Sequence, residues 1–207
     1  MMTAMLIIAI AGPSGSGKST IAQELRSSWS AGSLEILELD RYYRDLTHVT
    51  ESERKVYNFD SPDALESDLL FQHIDALCSG QSIELPRYNF ATHVREPAVD
   101  PFTPPDVLVV EGLFALYWAH LREKCTLRVF VDLDSETCLD RRLRRDSAQR
   151  SRDEDSVIEQ FRSHVDPMRE QFVTPTRATA HVTVSGLDPV PKTVKIIKSH
   201  FSEETQS

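Results

Sequence analysis

The fold of this chain is decided by the stretch Gly12-Pro13-Ser14-Gly15-Ser16-Gly17-Lys18-Ser19-Thr20. It matches the pattern G-x-x-x-x-G-K-[ST], and it stands between an apolar run at 5–11 and a helix pattern that begins at Ser19. Glycines in such a loop let successive backbone N–H groups point at phosphate oxygens. Lys18 supplies positive charge to the β- and γ-phosphates, and Ser19 offers a hydroxyl to Mg²⁺. The motif therefore predicts a nucleoside triphosphate site between a strand and a helix.

The composition limits what else the protein can bind. Only seven of the 207 residues are glycine, and Gly12, Gly15 and Gly17 are three of them. The 23 basic and 32 acidic side chains give a formal net charge of −9, which argues against binding of a polynucleotide backbone. With 40% hydrophobic and 27% charged residues, one ordinary globular domain is expected. An anionic ligand must then be neutralised by local positive charge.

Cysteine usage and hydropathy indicate the compartment. Cys78, Cys125 and Cys138 are far apart and form no C-x-x-C pair, which is typical of reduced thiols. The apolar run at 5–11 is too short to span a membrane, and no basic residue precedes it. We therefore expect a cytoplasmic protein with no membrane partner.

Short apolar runs alternate with longer amphipathic stretches along the chain. The runs expected to form strands are 5–11, 34–39, 107–110, 127–131 and 182–184. The stretches expected to form helices are 19–30, 62–78, 115–124, 135–145, 156–172 and 190–201. This order predicts an α/β fold, a doubly wound parallel sheet with helices on both faces. Residues 1–201 would form a single domain, and the polar tail at 202–207 is expected to fray.

A proline-rich segment at 85–105 interrupts the alternation. Its five prolines exclude a helix and favour a hairpin or an irregular surface insertion. Within it, Tyr88 and Phe90 would face the same side of an extended backbone, and His93 could hydrogen-bond a heterocycle. Alternatively, the two aromatic rings cover a minor hydrophobic cluster and His93 is solvated.

Three carboxylates follow strands or introduce helices. Asp40 ends the second strand, where it could accept the proton of an attacking hydroxyl or cap a helix. Asp60 precedes a predicted helix, and it could bind a vicinal diol or take part in capping. Glu111 follows the strand at 107–110. It could lie on the Mg²⁺ side of the nucleotide site, or it could be a charged loop residue.

A twelve-residue window supplies the local positive charge that an acidic protein needs. Its six arginines are Arg141, Arg142, Arg144, Arg145, Arg150 and Arg152. The window begins on a helix and ends in a polar stretch at 146–155, which we expect to be a mobile loop that closes as an arginine-rich lid. Arg141 and Arg144 could instead pair with acidic neighbours on a solvated face.

From Ile7 to Ser185 the chain resembles the uridine-cytidine kinase family, within the uridine kinase and phosphoribulokinase group of P-loop kinases. The ordered motifs that carry the resemblance are GPSGSGKST, DRYYRDLT, YNFDSPDAL, LPRYNFATHVR, VLVVEGLFAL and VFVDLDSETCLDRRLRRD. The resemblance implies a P-loop NTPase fold like that of nucleoside monophosphate kinases. It also implies ATP- or GTP-dependent, Mg²⁺-assisted phosphorylation of uridine or cytidine at the 5′-hydroxyl, in pyrimidine salvage, by an enzyme that assembles as a tetramer.

The resemblance also assigns roles to single residues. Asp40 matches the family's catalytic base, with Tyr43 in the same pocket. Asp60 and Arg142 match the residues that hold the ribose hydroxyls. The residues that match those around the pyrimidine base are Tyr88, His93, Arg152 and Gln160. Arg145 and Arg150 correspond to lid arginines near the phosphates, Ser19 and Glu111 to the Mg²⁺ side, and Asp188 to a contact near the adenine.

The chain departs from the family pattern at three positions. Ser61 stands where many relatives have histidine, Ser151 replaces a glycine between two lid arginines, and Ser185 lies where many have the arginine of Pro-Arg-Gly. None of these three positions is expected to act as the catalytic base or to contact the ribose diol. A phosphoribulokinase-like or other small-metabolite kinase is the alternative within the enzyme class. A nucleotide-binding regulator without catalysis is the alternative outside it.

Overall fold

The computed structural model describes residues 5–55, 57–150 and 154–205, with the side chains of 55, 145–150, 203 and 204 left aside. The strands are β1 Leu6–Ala11, β2 Leu34–Glu38, β3 Ile83–Asn89, β4 Val94–Phe102, β5 Val107–Glu111, β6 Leu127–Asp132 and β7 Val182–Ser185. Five of them form a parallel sheet in the order β2-β5-β1-β6-β7. All five strands of this sheet were predicted from the apolar runs.

Helices cover both faces of this sheet. The α-helices are α1 Lys18–Ser27, α2 Glu51–Lys55, α3 Ser67–Cys78, α4 Ala119–Lys124, α5 Ser135–Arg150, α6 Glu154–Gln160, α7 Asp166–Met168 and α8 Val190–Glu204. Short 3₁₀ helices occupy Leu39–Tyr42, Pro62–Ala64 and Thr174–Thr179, and π-helical turns occupy Phe161–Val165 and Arg169–Val173. None of the helices in the described ranges combines the length and apolar character that a membrane span requires.

Alternate residues of β1 belong to two different hydrophobic cores. Ile8 and Ile10 pack with Leu25 of α1 and Ile197 of α8 on one face of the sheet. Ile7, Ala9 and Ala11 join the other core, which includes residues of α3 and α4. All five β1 residues from Ile7 to Ala11 are at most 1% exposed. The central strand is therefore buried on both faces, as a doubly wound sheet requires.

The proline-rich segment forms an antiparallel hairpin, β3 with β4. It begins at Ile83, two residues before the predicted insertion. The hairpin is tied to the 3₁₀ helix after β2, because Arg41 donates to Asp100 of β4 at 2.8 Å. Arg95 of β4 donates to the carbonyl of Tyr43 at 2.9 Å and pairs with Glu66 at 2.5 Å. These contacts fix the hairpin beside the carboxyl end of β2.

Several boundary predictions were wrong. The helices expected at 62–78 and 115–124 begin at Ser67 and Ala119, and residues 62–64 form a separate 3₁₀ helix. The stretch 146–155 was expected to be a loop, but α5 continues through Arg150 and α6 begins at Glu154. Residues 146–150 contain no glycine or proline and include good helix formers such as Ala148 and Gln149, so the helix does not stop. The predicted tail also begins too early, since α8 runs to Glu204.

The predicted helix at 156–172 is not a single α-helix. It passes from α6 into a π-helical turn, the short α7 and a second π-helical turn. Pro167 lies in α7 and has no N–H to donate to the carbonyl four residues earlier, so the hydrogen-bond register changes there.

The turn from β1 into the phosphate loop depends on a missing side chain. Gly12 has φ 147°, and a Cβ added there would lie 2.3 Å from the carbonyl oxygen of Val131. Gly17 also has positive φ, 97°, but a Cβ there would meet nothing within 4 Å. Gly12 thus lets the loop pass directly against the end of β6, whereas Gly17 is needed only for its backbone angle.

This difference predicts unequal costs for two alanine substitutions. Gly12→Ala should lower the free energy of unfolding by about 3 kcal/mol, because it adds a steric clash to an unfavourable φ. Gly17→Ala should cost about 1 to 2 kcal/mol, for the φ alone. Urea unfolding of both variants measures the difference, and equal losses would contradict the role given to the Gly12 contact.

Candidate functional site

A cavity of about 1260 Å³ opens at the carboxyl ends of β1, β2 and β5. Its floor comes from the phosphate loop and the strand ends, including Lys18, Ser19, Asp40 and Glu111. One wall comes from the β3–β4 hairpin and the segment 57–60, and the opposite wall from α5, α6 and the π-helical turn that follows. Carboxyl ends of parallel strands are where ligands bind in open α/β sheets, so the topology places this cavity where a site is expected.

The phosphate loop and β5 are joined by a side-chain hydrogen bond. Ser19 Oγ donates to Glu111 Oε1 at 2.8 Å. Lys18 is 8% exposed, and its Nζ donates to the carbonyl of Pro13 at 2.8 Å, so the ammonium group lies over the loop. The predicted phosphate-binding residues thus sit together at the N-terminus of α1, which favours an anion.

Ser19 and Glu111 fit the needs of a magnesium ion. Both offer oxygen atoms, and burial raises the pKa of the Glu111 carboxyl. A nearby dication would offset the cost of that buried charge. Within the described ranges, no group of three or more His, Cys, Asp or Glu could hold a metal. Mg²⁺ is usually bound by one or two protein ligands together with water and phosphate oxygens.

Asp40 lies in the 3₁₀ helix Leu39–Tyr42 directly after β2. It is not the capping residue of that helix, since Glu38 occupies the N-cap position, so the capping role that the sequence left open for Asp40 is excluded. Burial, and then the negative charge of Glu111, raise the pKa of Asp40 to about 6, while Lys18 acts in the opposite direction. The pKa of its carboxyl group is therefore closer to neutral pH than that of an ordinary aspartate, and the group lines the cavity.

The capping question at Asp60 has a similar answer. Ser61 is the N-cap of the 3₁₀ helix Pro62–Ala64, and its hydroxyl accepts from the Asp63 N–H at 3.4 Å. Asp60 lines the cavity instead. Arg142 lines the same cavity, is 8% exposed and donates to Gln160 Oε1 at 3.3 Å. A carboxylate and a guanidinium group therefore both border the same space.

Aromatic rings form a continuous wall of the cavity. The Tyr43 ring centroid lies 5.2 Å from that of Phe59 and 5.3 Å from that of Tyr88. His93 is stacked on Phe59 at 4.8 Å with an interplanar angle of 25°. Tyr88 and Phe90 are in edge contact at 5.3 Å, so the predicted shared side is observed. Phe90 is still 50% exposed, which leaves apolar area available to a planar ligand.

The structure does not bring every predicted residue to the cavity. Asp188 lies outside the cavity lining and accepts from Lys192 Nζ at 2.9 Å. Arg152 lies outside the described residues, as do the side chains of Arg145 and Arg150. The roles of these four residues stay predictions.

Several lining residues were missed by the sequence reasoning. They are Tyr57, Asn58, Phe59, Ala91, Gly112, Leu113, Ser156, Glu159, Ser163 and His164. Ser156, Glu159 and Ser163 share one helical face with Gln160 at the spacing i, i+3, i+4 and i+7, so that spacing could have identified them. Phe59 directly precedes Asp60, but nothing in its sequence context indicates that it would stack on His93.

Comparison with known proteins gives consistent results. The family model described as Phosphoribulokinase / Uridine kinase family matches residues 7–192. A uridine kinase of Chloroflexus aurantiacus is 41% identical over 207 residues, which cover 100% of this chain and 99% of that protein. A uridine kinase of Staphylococcus aureus is 41% identical over 183 residues, 88% of each chain. Phosphoribulokinase from Rhodobacter spheroides shares the fold, with a TM-score of 0.68 at 13% identity over 88% of this chain and 70% of that one.

The raised pKa of Asp40 predicts that this residue destabilises the protein. Its carboxyl has a pKa of about 6 in the folded protein against 3.8 for an unperturbed aspartate, so the cost is absent below about pH 4 and is fully present above pH 6. Asp40→Asn should therefore raise the free energy of unfolding by about 2 to 3 kcal/mol at pH 8 and by almost nothing at pH 4. Urea unfolding at both pH values measures this, with Asp68→Asn on the exposed surface of α3 as the control. A variant that is less stable than wild type at pH 8 would refute the prediction.

Proposed function

The chain belongs to the phosphoribulokinase / uridine kinase family and is a kinase, and from this membership and the site we propose that it phosphorylates the 5′-hydroxyl of uridine or cytidine. The donor is the γ-phosphoryl group of ATP or GTP bound with Mg²⁺. The observation that carries the proposal is the position of Asp40. Its carboxyl group is electrostatically coupled to Lys18 and Glu111 at the phosphate loop and to Asp60, and all four residues line one cavity.

The donor side supplies positive charge and fixed dipoles. Lys18 and the loop amides at the start of α1 can neutralise the triphosphate. Ser19 and Glu111 would hold a Mg²⁺ ion, which would supply further charge neutralisation at the phosphate oxygens. The lid arginines Arg145 and Arg150 are proposed to stabilise the transferring group from the other side. Phosphoryl transfer needs little covalent chemistry from the protein, so alignment of the two substrates accounts for most of the rate.

The acceptor side orients one hydroxyl. Asp40 accepts the proton of the 5′-hydroxyl. At the same time the hydroxyl oxygen forms a bond to the γ-phosphorus, and the bond from that phosphorus to the leaving nucleoside diphosphate breaks. Asp60 accepts hydrogen bonds from the ribose diol, and Arg142 donates to it. Both residues act at a distance from the reacting atoms, and they determine which hydroxyl reaches Asp40.

The aromatic wall supports a nucleobase as the remaining part of the acceptor. Tyr43, Phe59 and Tyr88 offer ring faces and edges, while His93 and Gln160 offer polar atoms for the base edge. Arg152 is proposed to join them, and Asp188 to contact the adenine of the donor. A sugar phosphate would need cations in place of rings, and the described lining offers only Lys18 and Arg142 besides two histidines. The nucleoside is therefore favoured over ribulose 5-phosphate, and a tetrameric assembly and a role in pyrimidine salvage stay part of the proposal.

Diol recognition predicts discrimination against deoxynucleosides. Removing the 2′-hydroxyl leaves Asp60 and Arg142 with unmatched polar groups, so kcat/KM for 2′-deoxyuridine should be about tenfold to thousandfold below that for uridine. Steady-state kinetics with purified protein and MgATP measure the ratio. In Asp60→Asn the ratio should shrink, because the variant has already lost part of the interaction. Equal rates for the two nucleosides in the wild type would overturn the diol assignment.

The assignment of Asp40 as the catalytic base is tested by the variant Asp40→Asn. This variant keeps the shape of the side chain but cannot take a proton, so kcat should fall by about two to four orders of magnitude. Binding of MgATP, followed by calorimetry, should change little. Asp68→Asn serves as the matched control and should turn over like wild type. Unchanged kcat in Asp40→Asn would show that another group receives the proton.

A further inference from the structure

We propose that Arg141 is a positioning residue for the phosphate donor. Its guanidinium group connects two backbone segments that border the donor side: NH1 donates to the carbonyl of Gly15 in the phosphate loop at 3.0 Å, and NH2 donates to the carbonyl of Gly186 after β7 at 2.8 Å. The sequence left open that Arg141 merely pairs with an acidic neighbour. Its observed partners are instead two backbone carbonyls.

The bond to Gly15 has a specific consequence for anion binding. A phosphate loop works only while its N–H groups point at the ligand, and its carbonyl groups must then point away. A carbonyl that points away from the ligand is stabilised when a donor pairs with it. Arg141 supplies that donor at Gly15, a residue held at φ 83°. The guanidinium group therefore favours the loop conformation that presents the amides inward.

The segment after β7 lies directly against the loop. A Cβ added to Gly186 would be 2.6 Å from the carbonyl oxygen of Ser16, and the Gly186 N–H donates to Asp132 at 2.8 Å. Helix α5 approaches from the other side, since a Cβ on Gly15 would lie 3.4 Å from the Cys138 carbonyl oxygen. Arg141 joins the three elements. Its guanidinium group contacts only the backbone carbonyl of Gly186, so this hydrogen bond does not depend on the side chain of Ser185.

Arg141 and Arg142 are consecutive on α5 but serve different substrates. Arg142 faces the cavity and contacts Gln160, whereas Arg141 does not line the cavity and contacts the backbone of the phosphate loop. Substitution of Arg141 should therefore weaken binding of the phosphate donor and leave binding of the acceptor almost unchanged. The acceptor half of this contrast rests on the proposed function, and the donor half does not.

The test uses three full-length variants. Arg141→Gln removes the charge and one of the two donor groups, and Arg141→Lys keeps the charge but has a single ammonium group for two carbonyls. Arg144→Gln is the control, because Arg144 lies on the same helix, has a 78% exposed side chain and pairs with Asp140 at 2.9 Å. Calorimetry with a non-hydrolysable ATP analogue and Mg²⁺ measures donor binding, and steady-state kinetics give both KM values.

We expect Arg141→Gln to weaken analogue binding by about tenfold to hundredfold, as the loss of charge-assisted hydrogen bonds implies. Arg141→Lys should recover part of this loss, Arg144→Gln should bind like wild type, and the KM for the nucleoside should stay within about twofold in all three. Wild-type affinity for the analogue in Arg141→Gln would overturn the proposal. So would an equal loss of donor and acceptor affinity, since that would indicate a general folding defect.

The calorimetric result does not depend on the acceptor. If no nucleoside is phosphorylated by the wild type, the proposed function fails, while the analogue titration still decides whether Arg141 positions the donor loop.

Discussion

The contact between the backbone of Gly12 and the carbonyl of Val131 is the constraint on which the site depends. It lets the chain leave β1 and turn beside the end of β6, so that α1 begins at Lys18 above the sheet edge. The parallel register then brings the other strands to the same edge. Ile10 of β1 is opposite Glu111 of β5, and Glu38 of β2 is opposite Glu111 as well. Ser19, Glu111 and Asp40 meet because three parallel strands end at the same level.

The cavity brings buried cations and carboxylates close together. The protein carries a formal net charge of −9, yet Lys18 and Arg142, each 8% exposed, border a cavity that also contains Asp40, Asp60 and Glu111. Burial, and then repulsion from Glu111, raise the pKa of Asp40 to about 6. A cationic metal and the proton of a bound hydroxyl would relieve this repulsion. The site is thus less stable by itself than with its substrates, a common cost of function.

Much of the fold could be predicted from the sequence because hydrophobic burial determines it. Runs such as 107–110 are apolar at every position, as strands buried on both faces must be, and Gly12 to Thr20 allow one local geometry. The lid boundary was missed because the polar composition of 146–155 was read as a loop, although Ala148 and Gln149 are good helix formers. The stacking of His93 on Phe59 joins two segments that are far apart in sequence, and no local pattern encodes such a contact.

At Asp40 and Asp60 the structure excludes only the N-cap alternative, and the catalytic and diol roles stay predictions. Glu38 and Ser61 take the capping positions, which leaves both aspartates to the cavity. The family resemblance was needed to single out Arg142 and Gln160, since their hydrogen bond connects two helices. Arg141 shows the opposite case, in which neither spacing nor resemblance indicated its contacts with Gly15 and Gly186.

The central claim is that the acceptor is a pyrimidine nucleoside, and a direct competition tests it. Purified protein is given MgATP with uridine and ribulose 5-phosphate at equal concentration, and the two phosphorylated products are separated and quantified. We expect uridine 5′-monophosphate as the dominant product, because the aromatic wall can stack a base. Predominant formation of ribulose 1,5-bisphosphate would contradict it.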